Sequence, residues 1–221
     1  MAARYALYYA PEPGSALETF GRRWLGCESA TREAAPRLEE ITRAPRHYGF
    51  HGTLKAPFRL ADGHSLEALQ RAITAFAATR AGFELPPLRL ATLGRFLALV
   101  SSGPCEPLAS LAADCVTAFD SFRKPPSADE LARRRANGLT ERQNQLLIRW
   151  GYPYVLDEFR FHLTLTGSLD DEREREAVRR TLAPLVTPLC EEPVAVQSIC
   201  LFEQADGTAP FRIARRYAFG G

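Results

Sequence analysis

Two of the four histidines in the chain occur in the same short pattern, a histidine followed two positions later by a threonine and then a leucine. The first copy is His51-Gly52-Thr53-Leu54 and the second is His162-Leu163-Thr164-Leu165. Each copy lies in an apolar stretch that predicts a β-strand, over residues 50–58 and 158–167. Because positions i and i+2 of a strand share a face, each copy presents one imidazole beside one hydroxyl.

This set of groups suits proton transfer at a phosphate. Histidine titrates near neutral pH, so one imidazole can take a proton from water while the other gives one to a leaving oxygen. The hydroxyls of Thr53 and Thr164 can donate hydrogen bonds to phosphoryl oxygens as negative charge builds up. A strained cyclic phosphodiester is a natural substrate, because these groups suffice without a metal. The alternative is two structural histidines, each bonded to a neighbouring threonine or to the backbone. The repetition on matching elements favours catalysis.

Five further side chains near the motifs are candidates for contacting a substrate. Strand alternation places Lys55 on the face of His51 and Thr166 on the face of the second histidine. Three tyrosines flank the motifs and could stack on a base or donate to a phosphate, with ordinary aromatic packing as the alternative: Tyr48, Tyr152 and Tyr154.

The elements that must position the motifs follow the same order in both halves of the chain. A motif strand is followed by an amphipathic helix and two strands, first over 50–58, 65–80, 83–93 and 95–101, then over 158–167, 170–185, 194–203 and 211–219. This order predicts an α+β fold of two similar lobes, over about 48–103 and 151–221, with the histidine strands in equivalent positions.

The remaining segments are a helical connector and an N-terminal region. The connector, 104–150, contains a capping-box signature from Ser127 to Glu130 and a predicted break at Asn137-Gly138. Its role as linker, lid or outer layer stays open. Residues 1–47 predict a strand over 5–9, a helix over 15–25 and a loop from 34 to 48.

Composition restricts the class of protein. The net charge is +2, and 26 of the 28 basic residues are arginines spread along the whole chain, which gives no electrostatic footprint for a general nucleic-acid binder. The five cysteines are scattered without a Cys-x-x-Cys pair, so neither a zinc site nor a disulfide framework is predicted. We expect no metal and no cofactor. Without a signal peptide or membrane span, we expect a cytoplasmic protein with no membrane partner.

The motifs with their flanks resemble a known superfamily. Tyr48-Gly49-Phe50-His51-Gly52-Thr53-Leu54-Lys55-Ala56-Pro57-Phe58 is similar to its first signature. Trp150-Gly151-Tyr152-Pro153-Tyr154-Val155 followed by Phe159-Arg160-Phe161-His162-Leu163-Thr164-Leu165-Thr166-Gly167 is similar to its second. These residues resemble the two-histidine (2H) phosphoesterases, in a bacterial branch often associated with phosphonate-degradation operons.

The resemblance implies a fold and a set of roles. It implies two pseudo-symmetric α+β lobes around a V-shaped cleft, His51 and His162 as the acid/base pair, and Thr53 and Thr164 as phosphate donors. Three functions remain open. One is hydrolysis of a small cyclic phosphodiester, for which the resemblance implies a place in phosphonate metabolism. The second is RNA-end processing, as a 2′-5′ ligase, a 2′,3′-cyclic phosphodiesterase or a 3′ exonuclease. The third is non-catalytic binding of a phosphorylated ligand. The expected partner is accordingly a small phosphorylated substrate or a short RNA end, and the oligomeric state stays open.

Overall fold

The computed structural model describes residues 3–26, 37–136 and 138–221. Asn137, named above, and Cys27, one of the five cysteines, lie outside them. The α-helices are α1 (Ala16–Gly26), α2 (Leu38–Ile41), α3 (Arg43–Tyr48), α4 (Leu66–Ala78), α5 (Glu106–Ala118), α6 (Ala128–Arg135), α7 (Glu141–Trp150) and α8 (Glu172–Val186). The strands are β1 (Arg4–Tyr9), β2 (Gly52–Phe58), β3 (Phe83–Leu85), β4 (Leu88–Leu93), β5 (Phe96–Ser101), β6 (Leu163–Thr164), β7 (Val194–Val196), β8 (Ser198–Gln204) and β9 (Arg212–Ala218).

The fold is α+β, as predicted, with antiparallel sheets and helices outside them. The sheet that carries the first motif has the strand order β2-β1-β8-β9, and the sheet that carries the second has the order β4-β5-β6. β3 and β7 form a small two-stranded sheet. Leu54 of β2, Leu99 of β5 and Leu163 of β6 belong to one buried cluster, so a single core supports both motif strands.

The expected lobe boundaries, 48–103 and 151–221, are wrong. The first motif strand, β2, pairs with β1 from the N-terminal region, and β1 pairs on its other side with β8 from the C-terminal region. The second motif strand, β6, pairs with β5 from the first half of the chain. The physical reason is burial of β1: its residues from Tyr5 to Tyr9 are all buried, which requires a partner strand on each side. The two halves therefore exchange strands.

Two local expectations also differ from the structure. The second motif strand was expected over 158–167 but is only two residues long, because the backbone amides of Leu165 and Thr166 both donate to the Leu97 carbonyl and so end the ladder. The segment up to Tyr48 was predicted as a loop, and its described part instead forms α2 and α3. Pro45 fits in α3 because it occupies the first turn, where its missing N–H removes no helical hydrogen bond.

The connector contains three α-helices, α5, α6 and α7, and α6 begins as its sequence requires. α6 has the predicted capping box, in which the Ser127 hydroxyl accepts from the Glu130 amide and the Glu130 carboxylate accepts from the Ser127 amide. α6 ends at Arg135 and α7 begins at Glu141, so the predicted break is present. Among the described helices, none is both long enough and apolar enough to cross a bilayer.

Candidate active site

His51 is held with one ring nitrogen facing outward. Its Nδ1 lies 2.9 Å from the Gly49 carbonyl oxygen, which can only accept, so Nδ1 carries the proton. The Thr53 hydroxyl then donates to the unprotonated Nε2, at 3.3 Å. The Tyr8 ring stacks on the imidazole, with ring centroids 3.8 Å apart and planes 21° from parallel. The Gly49 carbonyl and the Thr53 hydroxyl therefore fix the tautomer of His51. The Tyr8 ring of β1 fixes the orientation of its imidazole.

His162 is held in the same way. Its Nδ1 donates to the Arg160 carbonyl at 2.8 Å, again two residues upstream, which leaves Nε2 as the unprotonated nitrogen. Its ring lies against Phe96 at the start of β5, with centroids 5.7 Å apart. Each motif thus has the same hydrogen bond, from Nδ1 of its histidine to the carbonyl two residues upstream, as well as the same sequence pattern.

The flanks of the two motifs pack against each other. The Phe161 ring covers Gly52 so closely that a Cβ on Gly52 would lie 2.3 Å from Phe161 Cε2, and only glycine fits. The buried Trp24 indole of α1 donates to the Leu165 carbonyl at 2.7 Å, which anchors the end of the second motif. The two motif strands are consequently positioned by one set of contacts.

One cavity of 260 Å³ joins the two motifs. His51 and Thr164 both line it, and so does Phe96, whose ring touches His162. Its other lining residues come from α3 and from the turn after the second motif: Ala44, Pro45, Tyr48, Thr166, Gly167 and Ser168. His162 is not among the lining residues, so the predicted convergence of both histidines on one site stays a prediction.

Both imidazoles favour the neutral form. Loss of hydration, with a smaller effect of the nearby His162, lowers the pKa of His51 to about 4 against the opposing effect of the Gly49 carbonyl. Loss of hydration also lowers the pKa of His162. At neutral pH the unliganded site therefore presents two unprotonated Nε2 atoms.

The hydroxyls of Thr53 and Thr164 differ from the hydroxyl of Thr166 in their hydrogen bonds. Thr53 is bonded to His51, and the Thr164 hydroxyl makes no hydrogen bond to a residue in the described part of the chain. Thr166 is 1% exposed, and its hydroxyl accepts from the Leu97 amide and donates to the Gly167 carbonyl. The hydroxyl of Thr166 joins β5 to the second motif and already donates and accepts, so its expected role in binding substrate stays a prediction.

Lys55 lies on the opposite face of the sheet from His51, so its predicted place at the site is wrong. The pairing of β1 with β2 is irregular here: Tyr8 is opposite Thr53, but Leu7 is opposite Lys55. This bulge breaks the alternation on which the prediction rested. The Lys55 ammonium is buried and donates to the Val116 carbonyl at 2.9 Å, with Asp120 3.8 Å away.

Replacing Lys55 should therefore affect stability rather than turnover. We expect Lys55→Met to lose about 1–3 kcal/mol of unfolding free energy, since the Val116 carbonyl loses its buried donor. The Michaelis constant should change by less than about threefold. Urea unfolding together with steady-state kinetics checks this. A large rise in KM at unchanged stability would place Lys55 at the substrate after all.

The three candidate tyrosines occupy different positions. Tyr48 lines the cavity, and its ring centroid lies 6.3 Å from that of His51. Tyr152 is half-buried and packs edge-on against the exposed Tyr154, with centroids 5.7 Å apart. Neither Tyr152 nor Tyr154 is among the residues that line the His51 cavity. Of the three, only Tyr48 lies next to His51.

Tyr8 is a site residue that the sequence interpretation missed. It was included only in the apolar run of β1, and no motif distinguishes it from Tyr5 or Tyr9. Its contact with His51 depends on the pairing of β1 with β2, which joins positions 8 and 53. The sequence offers only a weak signal for this role, which is the presence of three tyrosines in one short strand.

Loss of the Tyr8 ring should slow turnover. We expect Tyr8→Leu to reduce kcat roughly 2- to 10-fold with little change in KM, because an aromatic pair contributes about 0.5–1.5 kcal/mol to holding the imidazole. Tyr8→Phe, which keeps the ring, is the matched control and should retain near-normal kcat. Equal kcat values for Tyr8→Leu and Tyr8→Phe in folded protein would contradict a positioning role.

Over the described ranges, no group of three or more His, Cys, Asp or Glu side chains is arranged to hold a metal ion. The expectation that the reaction needs no metal stays a prediction, which a chelator test addresses below.

Residues 53–212 match the family described as "Protein of unknown function (DUF1045)", and the chain belongs to this family. A Janthinobacterium sp. (strain Marseille) protein named ribose 1,5-bisphosphate phosphokinase PhnN is 38% identical, over 99% of this chain and 51% of that protein. The chain spans about half the length of the curated relatives it matches.

The chain also matches two solved structures at low sequence identity. A conserved protein of unknown function from Agrobacterium tumefaciens is 13% identical and gives a TM-score of 0.48, over 96% of this chain and 85% of that chain. E. coli LigT complexed with 3′-AMP is 14% identical and gives a TM-score of 0.46, over the full length of both chains.

Proposed function

We propose that this chain is a 2H-type phosphodiesterase that hydrolyses a small cyclic phosphodiester. The observation that carries the proposal is the repeated geometry of the two histidines. Each Nδ1 donates to the carbonyl two residues upstream, so each Nε2 is left for proton transfer. His51 and Thr164 line one cavity, which joins the motifs.

The reaction follows from these positions. One Nε2 removes a proton from water as its oxygen attacks phosphorus. The phosphorus–oxygen bond to the leaving alkoxide breaks, and the other imidazolium donates its Nε2 proton to that oxygen. Thr53 and Thr164 donate to the non-bridging oxygens as their charge rises. One water is consumed, and the products are a phosphomonoester and an alcohol group on the same molecule.

We assign His51 as the base and His162 as the acid in the hydrolytic direction. The Thr53 hydroxyl donates to Nε2 of His51, and only an unprotonated imidazole can accept that bond. The pKa of His51, lowered to about 4, points the same way. In the reverse direction the two roles exchange.

The name of the curated relative suggests a class of substrate. A kinase of the P-loop type needs the phosphate-binding pattern Gly-x-x-x-x-Gly-Lys-Ser/Thr, and the two lysines of this chain follow Leu54 and Arg123 instead. We therefore assign the kinase activity in that name to the part of the relatives that this chain does not span. A phosphorylated ribose compound would then be the product of one of the two reactions and the substrate of the other.

Turnover in excess chelator tests the proposal. ³¹P NMR would follow a 2′,3′-cyclic nucleotide, a ribose 1,2-cyclic phosphate and a 3′-ended oligoribonucleotide. We expect ring opening of a cyclic phosphate to a monoester at a rate that chelator does not change. Shortening of the oligonucleotide alone would favour the RNA-end alternative. Binding without turnover of any compound would contradict the proposal and favour a non-catalytic module.

The pH dependence should differ between free and substrate-bound enzyme. The rate falls when low pH protonates the base and when high pH deprotonates the acid. Both imidazoles have lowered pKa values in the unliganded site, and a bound phosphate anion raises them by favouring imidazolium. The optimum of kcat should thus lie at higher pH than that of kcat/KM. Coincident profiles, or the reverse order, would contradict this account.

A further inference from the structure

A second and larger cavity, of 650 Å³, lies at the end of β2, the strand that carries the first motif. Six basic and two acidic side chains line it, although the whole chain carries a net charge of only +2. The basic residues come from β1, the position after β2, and the middle of the connector: Arg4, Arg59, Arg123, Lys124, Arg133 and Arg134. Positive charge is therefore concentrated here.

Part of this charge has no protein partner. Arg59 pairs with Glu130 at 2.8 Å, and Arg123 pairs with Asp120 at 2.9 Å. By contrast, the ion pairs of the described residues include none for Arg4, Arg133 or Arg134, although Arg4 Nε donates to Gln204 Oε1 at 2.6 Å. One further nitrogen, NH1 of Arg123, is buried without a hydrogen-bond partner within the same part of the chain. Guanidinium groups without a carboxylate partner around a cavity suit a phosphate, whose oxygens they can bind in pairs.

Aromatic residues connect this cavity to His51. The Arg134 guanidinium lies 5.2 Å from the Tyr152 ring centroid. The Tyr152 hydroxyl is near enough to that of Tyr8 to contribute to its raised pKa, and Arg4 is near enough to oppose that rise. Tyr8 in turn stacks on His51. The Arg4 guanidinium lies 5.4 Å from the Phe211 ring centroid, and that centroid is 6.3 Å from the Tyr8 ring centroid. Neighbouring side chains therefore connect Arg4 as well as Arg134 to the ring that stacks on His51.

We propose that this cavity is a subsite for a second phosphate, carried by the same molecule whose phosphodiester reacts at His51 and His162. The inference rests on the proposed function and narrows its substrate to a cyclic phosphodiester with an additional terminal phosphate. Arg4 and Arg134 bind that group, and the reacting phosphate stays with the threonines. The six basic residues make the protein discriminate against substrates that lack the second charge.

A matched pair of substrates tests the subsite: adenosine 2′,3′-cyclic phosphate with and without a 5′-phosphate. We expect the 5′-phosphate to raise kcat/KM roughly 10- to 100-fold, the effect of a charge-assisted contact. Arg4→Gln and Arg134→Gln should each bring that ratio toward one, and Arg134→Lys should keep part of it. Arg179→Gln, an ion-paired arginine on α8, is the control and should leave the ratio unchanged. A ratio unaffected in Arg4→Gln and Arg134→Gln overturns the proposal.

A binding measurement separates this proposal from the proposed function. Calorimetry would compare adenosine 3′,5′-bisphosphate with adenosine 3′-monophosphate in the same variants. Tighter binding of the bisphosphate that depends on Arg4 and Arg134 supports the subsite even if no cyclic phosphate is hydrolysed. Equal binding of both compounds, with cyclic phosphate hydrolysed, overturns the subsite alone. Affinity that rises with each added nucleotide of an oligoribonucleotide also overturns it, because the cavity then holds a nucleic-acid backbone.

Discussion

His51→Ala and His162→Ala should each lower kcat by roughly 10²–10⁴-fold, the usual contribution of one general acid or base. The double variant should lose far less than the product of the two, because acid and base act in one step. His51→Ala should remove the acidic limb of the pH profile, and His162→Ala the alkaline limb. Steady-state kinetics across pH measure all three effects.

A third histidine supplies the control for this prediction. His64 lies outside α4 and contacts Phe122, and it takes no part in the cavity shared by the motifs. His64→Ala should keep near-normal kcat. Near-normal turnover in either motif variant would show that the two-histidine mechanism does not operate in this chain.

Thr53→Val and Thr164→Val should have the next largest effect, a loss of about 10- to 1,000-fold in kcat. Valine keeps the shape of threonine but removes the hydroxyl that donates to a phosphoryl oxygen in the transition state. KM should change little if the donors serve the transition state more than the ground state. Rapid-quench or steady-state assays on the true substrate provide the measurement.

Thr166→Val should mainly reduce stability, whereas Thr53→Val and Thr164→Val should mainly reduce kcat. Its hydroxyl is buried and bonded to the Leu97 amide, so its removal leaves that amide unsatisfied. We expect a loss of about 1–3 kcal/mol in unfolding free energy and a smaller effect on kcat than either motif variant shows. If Thr166→Val slows turnover as much as Thr164→Val, the separation of catalytic from structural hydroxyls is wrong.

The convergence of the motifs could be predicted because it depends on short-range order. A histidine and a threonine two positions apart share a strand face wherever the strand lies. The repeated element order then indicated that both motifs would face one site. The amphipathic helix after the first motif and the capping box at Ser127 were predictable for the same reason, since each is specified within a few residues.

Other features depend on pairing across the sequence and could not be read from local patterns. The predicted position of Lys55 is wrong because a bulge in β2 changes the alternation of side chains between the two faces of the sheet. The residue types at 53–55 do not predict this bulge. The exchange of strands between the halves depends on β1 finding partners on both sides, from β2 and β8. That pairing brings Tyr8 to the histidine site. It also brings Arg4 to the larger cavity at the end of β2.

The most direct test of the two-histidine account is ring opening of a cyclic phosphate in H₂¹⁸O with excess chelator, followed by ³¹P NMR. We predict that wild-type protein forms a monoester with one ¹⁸O on phosphorus, at the rate seen without chelator, and that His51→Ala and His162→Ala are both at least a hundredfold slower. Activity that disappears in chelator and returns with a divalent ion, or product without ¹⁸O on phosphorus, would contradict the account.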